Sequence, residues 1–498
     1  MTQSPYQQLE QEFRRLFAFR SASSILHWDA AVLMPKGSAD LRGDQLAALE
    51  IESHTLLTSP KVSRLLERAE ANPNSLDDWQ LANLREMRRA RDHAIATPHS
   101  LVSRLAKATS TAEVQWVEAK QKNSFALLAP HLEEVVGLVR DKAKLLGKAL
   151  NLAPYDSLID EFSPGLSAAE IDRLFTTLTR KLPGLIQEAI DRQAKATPLE
   201  IAGKVTSLKQ RQLALELMKA VGFEFERGRL DESEHPFTGG IPGDLRITSN
   251  FAPSNALSGL MGVIHETGHA MYDFGLPQNW RSQPVGHDRG MVMQESQSLL
   301  LEMIIGRSRP FLNYLQPLIE KYYGVNGPEW HTDNLYRLLN RVQRSLIRID
   351  ADELTYPNHI IVRYELEQKL LAGSLRVADL PTAWNEAMER RLGVRPTSDA
   401  EGCLQDIHWA GGAFGYFPSY VLGAMIAGQL YESLRKDCPT LEDDLAAGRF
   451  AGIFHWLRKN VHSFGSKIST PDLIKGATGK PLSANAWLRY VEAKYLTA

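Results

Sequence analysis

Apolar residues recur at helical spacing along most of the chain. Between Tyr6 and Leu26 they fall at Leu9, Phe13, Leu16, Phe17 and Ile25, a stripe that one face of a helix can bury. Met34-Pro35-Lys36-Gly37 interrupts the pattern. Amphipathic helices are then expected over 39–58, 60–71, 77–95, 98–123 and 126–150. Ser167-Ala168-Ala169-Glu170 reads as a capping box. It opens a helix whose apolar face carries Ile171, Leu174, Leu178, Leu182 and Leu185.

The pattern changes near residue 222. Phe223 to Leu230, then Asp244 to Phe251, carry alternation and β-branched residues (Ile247 and Thr248), with Gly239-Gly240 and Pro242-Gly243 between them. One small β-hairpin or ribbon is therefore expected over 223–251. Helical spacing returns after residue 254 and continues to the end. No internal repeat, low-complexity tract or Ser/Gly linker is visible. The expected fold is all-α, a single body over 1–498 with two lobes around a cleft.

Composition narrows the functional classes. Lys and Arg number 57 against 59 Asp and Glu, a formal charge of −2. A nucleic-acid or anionic-membrane partner would call for a basic excess, so neither is expected. Cys403 and Cys438 are too few for a disulfide framework and form no C-x-x-C pair. The first residues hold no apolar signal segment, and no run of 18 apolar residues exists. A cytoplasmic location is the expectation.

The candidate chemistry lies in His265-Glu266-Thr267-Gly268-His269. A helix is expected from Ser254-Asn255 to Gly275-Leu276-Pro277. On it the two histidines share one face, roughly 6 Å apart along the axis, so both imidazoles can reach one metal ion. Glu266 beside them suits a base for a metal-activated water, the H-E-x-x-H arrangement of zinc peptidases. Leu260, Met261, Val263, Ile264, Met271 and Phe274 make this helix buried, and burying two His and a Glu is costly without a partner. Gly268 weakens a helix interior by about 1 kcal/mol. Close approach of backbone or substrate would account for it.

A catalytic zinc takes three protein ligands and keeps one position open. Tyr272 and Gly275 stand where the metzincin pattern requires Gly and His, which excludes that subclass. Glu295, opening the next apolar helix in Gln294-Glu295-Ser296-Gln297-Ser298, is the candidate third ligand. Asp273, one turn beyond His269, is a candidate to orient that imidazole, or else a surface carboxylate.

Six motifs then occur in order. They are His235-Pro236-Phe237, Asp244-Leu245-Arg246-Ile247-Thr248, the His265–His269 segment, Glu295-Ser296-Gln297, Ile347-Arg348-Ile349-Asp350-Ala351-Asp352, and Gly402-Cys403-Leu404-Gln405-Asp406-Ile407-His408-Trp409. With them the chain resembles the Taq-type thermostable metallocarboxypeptidases. These are helical enzymes related in fold to neurolysin and thimet oligopeptidase that remove single residues from peptide C-termini. The resemblance implies a neurolysin-like body with a deep cleft, one zinc ion (cobalt or manganese as substitutes) and peptide substrates with a free C-terminal carboxylate. It also implies a homodimer and N-terminal helices that wall the cleft. One departure is Gln294, where the family often has His.

The resemblance also suggests roles. Glu266 is the base. In His408-Trp409-Ala410-Gly411-Gly412-Ala413-Phe414-Gly415-Tyr416-Phe417-Pro418-Ser419-Tyr420, Tyr420 is the oxyanion donor, His408 bonds the substrate backbone and Tyr416 is a secondary candidate. Arg348 is chosen for the substrate carboxylate, because a guanidinium pairs with it in a planar fork. Its structural alternative is an ion pair with Asp350 or Asp352. Arg246 is a weaker candidate, with Asp244 as a structural partner. His235 is assigned either to the cleft or to a hairpin corner. His54, His93, His99 and His462 have no supporting context. An internally cutting oligopeptidase and a non-catalytic metal-binding relative are the competing readings.

Overall fold

The computed structural model describes residues 3–497. The N-terminal helices are Pro5–Val32, Ala39–Thr58, Pro60–Glu70, Asp78–Ala96, His99–Gln121 and Phe125–Leu150. They match the sequence periodicity closely, except that the first runs past the expected Leu26. Ser167 caps Ala168–Gln193 with the reciprocal Glu170 bond. Ser4, Ser59, Asp77 and Ser167 cap their helices by accepting a backbone N–H, whereas Ala39–Thr58, His99–Gln121 and Phe125–Leu150 start without a side-chain cap.

Most buried apolar side chains belong to one continuous core that runs from Leu101 to Tyr495. A smaller cluster under the first four helices includes Leu9, Phe13, Leu57, Leu66 and Met87. Polar bonds tie this cluster to the body. Asn83 donates to Gln283, Gln283 donates to the Glu10 carbonyl, and Arg289 pairs with Glu86 at 3.0 Å. Among the described residues no helix is long and apolar enough to cross a membrane.

The expected hairpin is instead a three-stranded sheet: β1 (Gly228–Glu232), β2 (Phe237–Ile241) and β3 (Asp244–Ser249), in the order β1-β3-β2. β2 and β3 are antiparallel, with Thr238 opposite Ile247. β1 runs parallel to β3, with Leu230 opposite Ile247. The alternation from Phe223 to Leu230 is strand only from Gly228 onward, and Phe237–Ile241 went unread because its two glycines looked like turn. The sheet packs on the helix Ala256–Gly275, where Ser249 Oγ donates to the Gly259 carbonyl. On its other side Ser24 of the first helix donates to the Gly240 carbonyl.

Candidate active site

Asn255 caps the helix Ala256–Gly275 by accepting from Ser258 N–H. This helix carries His265, Glu266 and His269. The return helix Met291–Leu299 carries Glu295 and continues as a π-helical stretch over Leu300–Gly306. The two helices touch backbone to backbone. A Cβ on Gly268 would stand 2.6 Å from the Ser298 Cα, so only glycine fits. The helix Pro418–Asp437 closes on the same place, since a Cβ on Gly423 would lie 2.6 Å from the Glu295 Cβ. The close approach that Gly268 suggested is therefore to backbone.

Donor atoms of His265, His269 and Glu295 lie within 4.8 Å of one another. His265 Nε2 is 3.8 Å from Glu295 Oε2. Each imidazole is held from behind. His265 Nδ1 donates to Glu302 Oε2 at 3.0 Å, and Glu302 is paired in turn with Arg307. His269 Nδ1 donates to Gln294 Oε1 at 3.1 Å, and Gln294 Nε2 donates to Asp273 at 2.9 Å. Asp273 thus bears on His269 through Gln294. Both rings keep Nε2 free, the arrangement a two-histidine, one-carboxylate metal site requires.

Electrostatics agree with that donor set. Burial alone would lower the His265 pKa, but Glu302, Glu266 and Glu295 raise it to about 9. A field that draws a proton to this ring also draws a cation. Burial and the neighbouring His265 push His269 down to about 3, so its lone pair is free at neutral pH. Burial raises Glu295 to about 7, partly offset by His265. Burial opposes ionisation of Glu302 as well, yet Arg307 and His265 hold it at about 2.

Glu266 is buried beside this cluster, and burial raises its pKa. Thr238 Oγ1 donates to its Oε2 at 2.7 Å. The edge strand β2 thus fixes one oxygen of the carboxylate.

A cleft of about 820 Å³ opens onto His265, Glu266 and Glu295, and Arg348, Tyr356 and Tyr420 line it as well. Arg348 is buried, but its partner is neither Asp350 nor Asp352. Its Nε donates to Asp406 at 2.9 Å and its Nη1 to the Tyr356 hydroxyl at 2.9 Å. Asp352 instead accepts from the backbone of Gln343, Leu354 and Thr355. Fully buried Arg363 also reaches Asp406, at 2.6 Å. Burial would raise Asp406, but Arg363 and Arg348 hold it far below the ordinary carboxylate range.

Tyr420 stands near Arg348, with the guanidinium 5.5 Å from its ring centre, and Tyr416 packs edge-on at 5.4 Å. His408 lies against Phe417 and Tyr416, with Nδ1 3.9 Å from Asp406. Burial and the two arginines lower it to about 4 against the pull of Asp406. It is therefore neutral at pH 7.

The remaining candidates stand apart from this group. Arg246 pairs with Asp244 at 2.8 Å and lies 4.4 Å over the Trp28 ring. His235 is exposed at the turn before β2, and its neighbour Pro236 reaches the cleft wall. His462 is a buried core residue held by Gln297 and pressed on Gly275.

Thr238, Glu302, Tyr356 and Arg363 escaped the sequence reading. Glu302 alone had a local signal, two turns beyond Glu295 on the same apolar helix. Thr238 and Arg363 act across the fold, and Tyr356 bonds Arg348 eight residues before it.

A histidine pair on one helix, a carboxylate from the next and a buried glutamate between them have the make-up of a metallopeptidase centre in a helical body. The family model described as carboxypeptidase Taq (M32) metallopeptidase matches residues 8–495. The chain belongs to that family and is a metal-dependent peptide hydrolase of the carboxypeptidase type. It is 37% identical over 496 residues to thermostable carboxypeptidase 1 of Thermus thermophilus, covering 97% of both chains. Carboxypeptidase 1 of Bacillus subtilis is 33% identical, with 98% of each chain covered. The solved structure of Trypanosoma cruzi metallocarboxypeptidase 1 superposes with a TM-score of 0.97 at 38% identity, covering 99% of each chain.

Proposed function

We propose that this chain is a zinc carboxypeptidase of broad specificity that releases single residues from peptides with a free C-terminal carboxylate. The observation that carries the reading is one of charge. Two buried guanidiniums, Arg348 and Arg363, share a single carboxylate, Asp406. Counted over direct ion pairs, one positive charge is left over at a wall of the cleft, with buried Glu367 acting on Arg363 only from further off. A buried, unmatched cation calls for an anionic partner, and a peptide α-carboxylate supplies one.

His265, His269 and Glu295 hold the ion in this reading. When bound, the ion supplies Lewis acidity, acidifying a water and polarising the scissile carbonyl. Glu266, steadied by Thr238, takes the proton of the attacking water and passes it to the leaving amine. Tyr420 donates to the developing oxyanion. His408, neutral and beside Tyr416, donates to the substrate backbone. Zinc suits a site of two imidazoles and one carboxylate, and cobalt or manganese can take its place. The family resemblance further supports a homodimer, and a cytoplasmic location is part of the same reading. Sedimentation and cell fractionation test these two points.

Cleavage of a free-acid peptide compared with its C-terminal amide tests the carboxylate reading. The free acid is expected to be cut at least about tenfold faster, the scale of one lost charge-assisted pair. Arg348→Ala should raise KM for the free acid and leave the amide nearly unchanged. Equal rates on acid and amide would refute the exopeptidase reading and favour an internal cutter.

A further inference from the structure

The helix Tyr356–Ala372 runs behind the substrate side of the cleft. Three residues spaced along one of its faces each hold a different part of that side. Tyr356 accepts from Arg348, Arg363 donates to Asp406 and Gln405, and Glu367 reaches the glycine-rich loop. The first two belong to the carboxylate anchor already described. Glu367 has no role in that account.

Glu367 is fully buried, and among the described residues no Lys, Arg or His forms an ion pair with it. A buried carboxylate without a paired cation is costly unless donors satisfy it. Three donors do so. Trp409 Nε1 donates to Oε1 at 2.8 Å, and Gly415 N–H donates to Oε2 at 3.0 Å. The Tyr155 hydroxyl donates to Oε2 at 2.8 Å. Trp409 directly follows His408, and Gly415 directly precedes Tyr416. Each carboxylate oxygen therefore grips one arm of the loop, one beside His408, which donates to substrate in the proposed reading, and one beside Tyr416, which packs on Tyr420.

The loop is pinned from the far side as well. Gly415 has φ +83°, and a Cβ there would stand 2.8 Å from the Leu158 backbone in the helix Pro154–Phe162. Tyr155 belongs to that same helix. Ser163, just past its end, shares a 2.9 Å hydrogen bond with Ser419, and Phe162 packs edge-on against Tyr416 at 5.0 Å. The loop is thus clamped between two helices, with Glu367 joining both.

We propose that Glu367 is a positioning residue for the substrate loop, setting the placement of His408 and Tyr416 through Trp409 and Gly415. The proposal rests on the reading of that loop given under the proposed function. Glutamine at 367 offers one acceptor oxygen and turns an N–H₂ group toward a donor, so it cannot hold both arms. Displacements of about 1 Å at catalytic groups cost up to about a hundredfold in rate.

The experiment compares Glu367→Gln, Tyr155→Phe and His408→Ala with the wild-type full chain. Each is loaded with zinc, and kcat, KM, zinc affinity by chelator competition and thermal midpoint are measured. Glu367→Gln is expected to lower kcat about tenfold to a hundredfold with zinc affinity unchanged. Tyr155→Phe, which keeps the carboxylate and removes one donor, is expected to lower kcat about twofold to fivefold. If Glu367→Gln does not fold, Tyr155→Phe decides: unchanged kcat overturns the proposal. A Glu367→Gln enzyme with kcat within about twofold of wild type, while His408→Ala has lost tenfold or more, also overturns it. So does zinc affinity falling in step with kcat. Wild-type activity in His408→Ala would instead refute the reading of the loop itself, and the positioning role with it.

Discussion

His265, His269 and Glu295 come from two helices that follow one another in the chain, joined by a single connection. The wall that completes the cleft gathers Arg348, Tyr356, Asp406 and Tyr420 from four separate segments. On the metal side, acidic groups outnumber basic ones, and Arg307 balances only Glu302. On the substrate side, two arginines share one aspartate. Around His265 the helices meet backbone to backbone at Gly268, whereas around Arg348 buried polar bonds tie the wall to one helix. Changes on the two sides should therefore fail in different ways, one through metal affinity and the other through turnover.

The largest effect should come from a residue at the meeting of the two sides. Glu266→Gln is expected to lower kcat by about 10³-fold or more, in the upper range for loss of a general base. Its metal content should stay at the wild-type level, as read by elemental analysis. Full peptidase activity in this variant would remove Glu266 from the mechanism.

A smaller effect separates the sides more sharply. Gln294→Ala removes the acceptor that holds His269 Nδ1 and is expected to weaken metal binding about tenfold to a hundredfold. At saturating metal, its kcat should return close to wild type. A loss of kcat that added metal does not restore would break the comparison, because the two sides would then be coupled.

The smallest effect concerns stability. Burial lowers His359 to about 3 and His408 to about 4, with Arg348 and Arg363 adding to it in both. An unfolded histidine takes up its proton near 6.5. Between that pH and about 4 the unfolded chain binds more protons than the folded one, so stability falls as pH falls through this window. Above about 6.5 these two groups add no pH dependence. The thermal midpoint should follow this course, and a His408→Gln variant should show a shallower slope. Equal slopes would mean that His408 is protonated in the folded chain.

Legibility in the sequence divides along the same line. Helical periodicity and capping residues made most helices readable, because each is encoded within its own span. The H-E-x-x-H segment was readable for the same reason: its geometry is local to one helix. The sheet was misread as a hairpin because β1 pairs in parallel with β3, a contact that no local alternation announces. Asp406 has no role legible in its motif, and the structural alternative for Arg348 names Asp350 or Asp352 where the ion-pair partner lies 58 residues away. Thr238 carries no local signal, since what it serves is a carboxylate on another element. Most of the unread residues have partners distant in the chain, Tyr356 with Arg348 being the exception.

The leftover positive charge at Arg348, Arg363 and Asp406 has a consequence for how a peptide is consumed. Every cut that removes a terminal residue leaves a shorter chain ending in a new carboxylate. If this charge receives the substrate terminus, each product presents the same group that admitted its parent. Digestion then proceeds as a ladder of successive shortenings. The liberated amino acid also carries a carboxylate and competes for the seat, so it slows its own production as it accumulates.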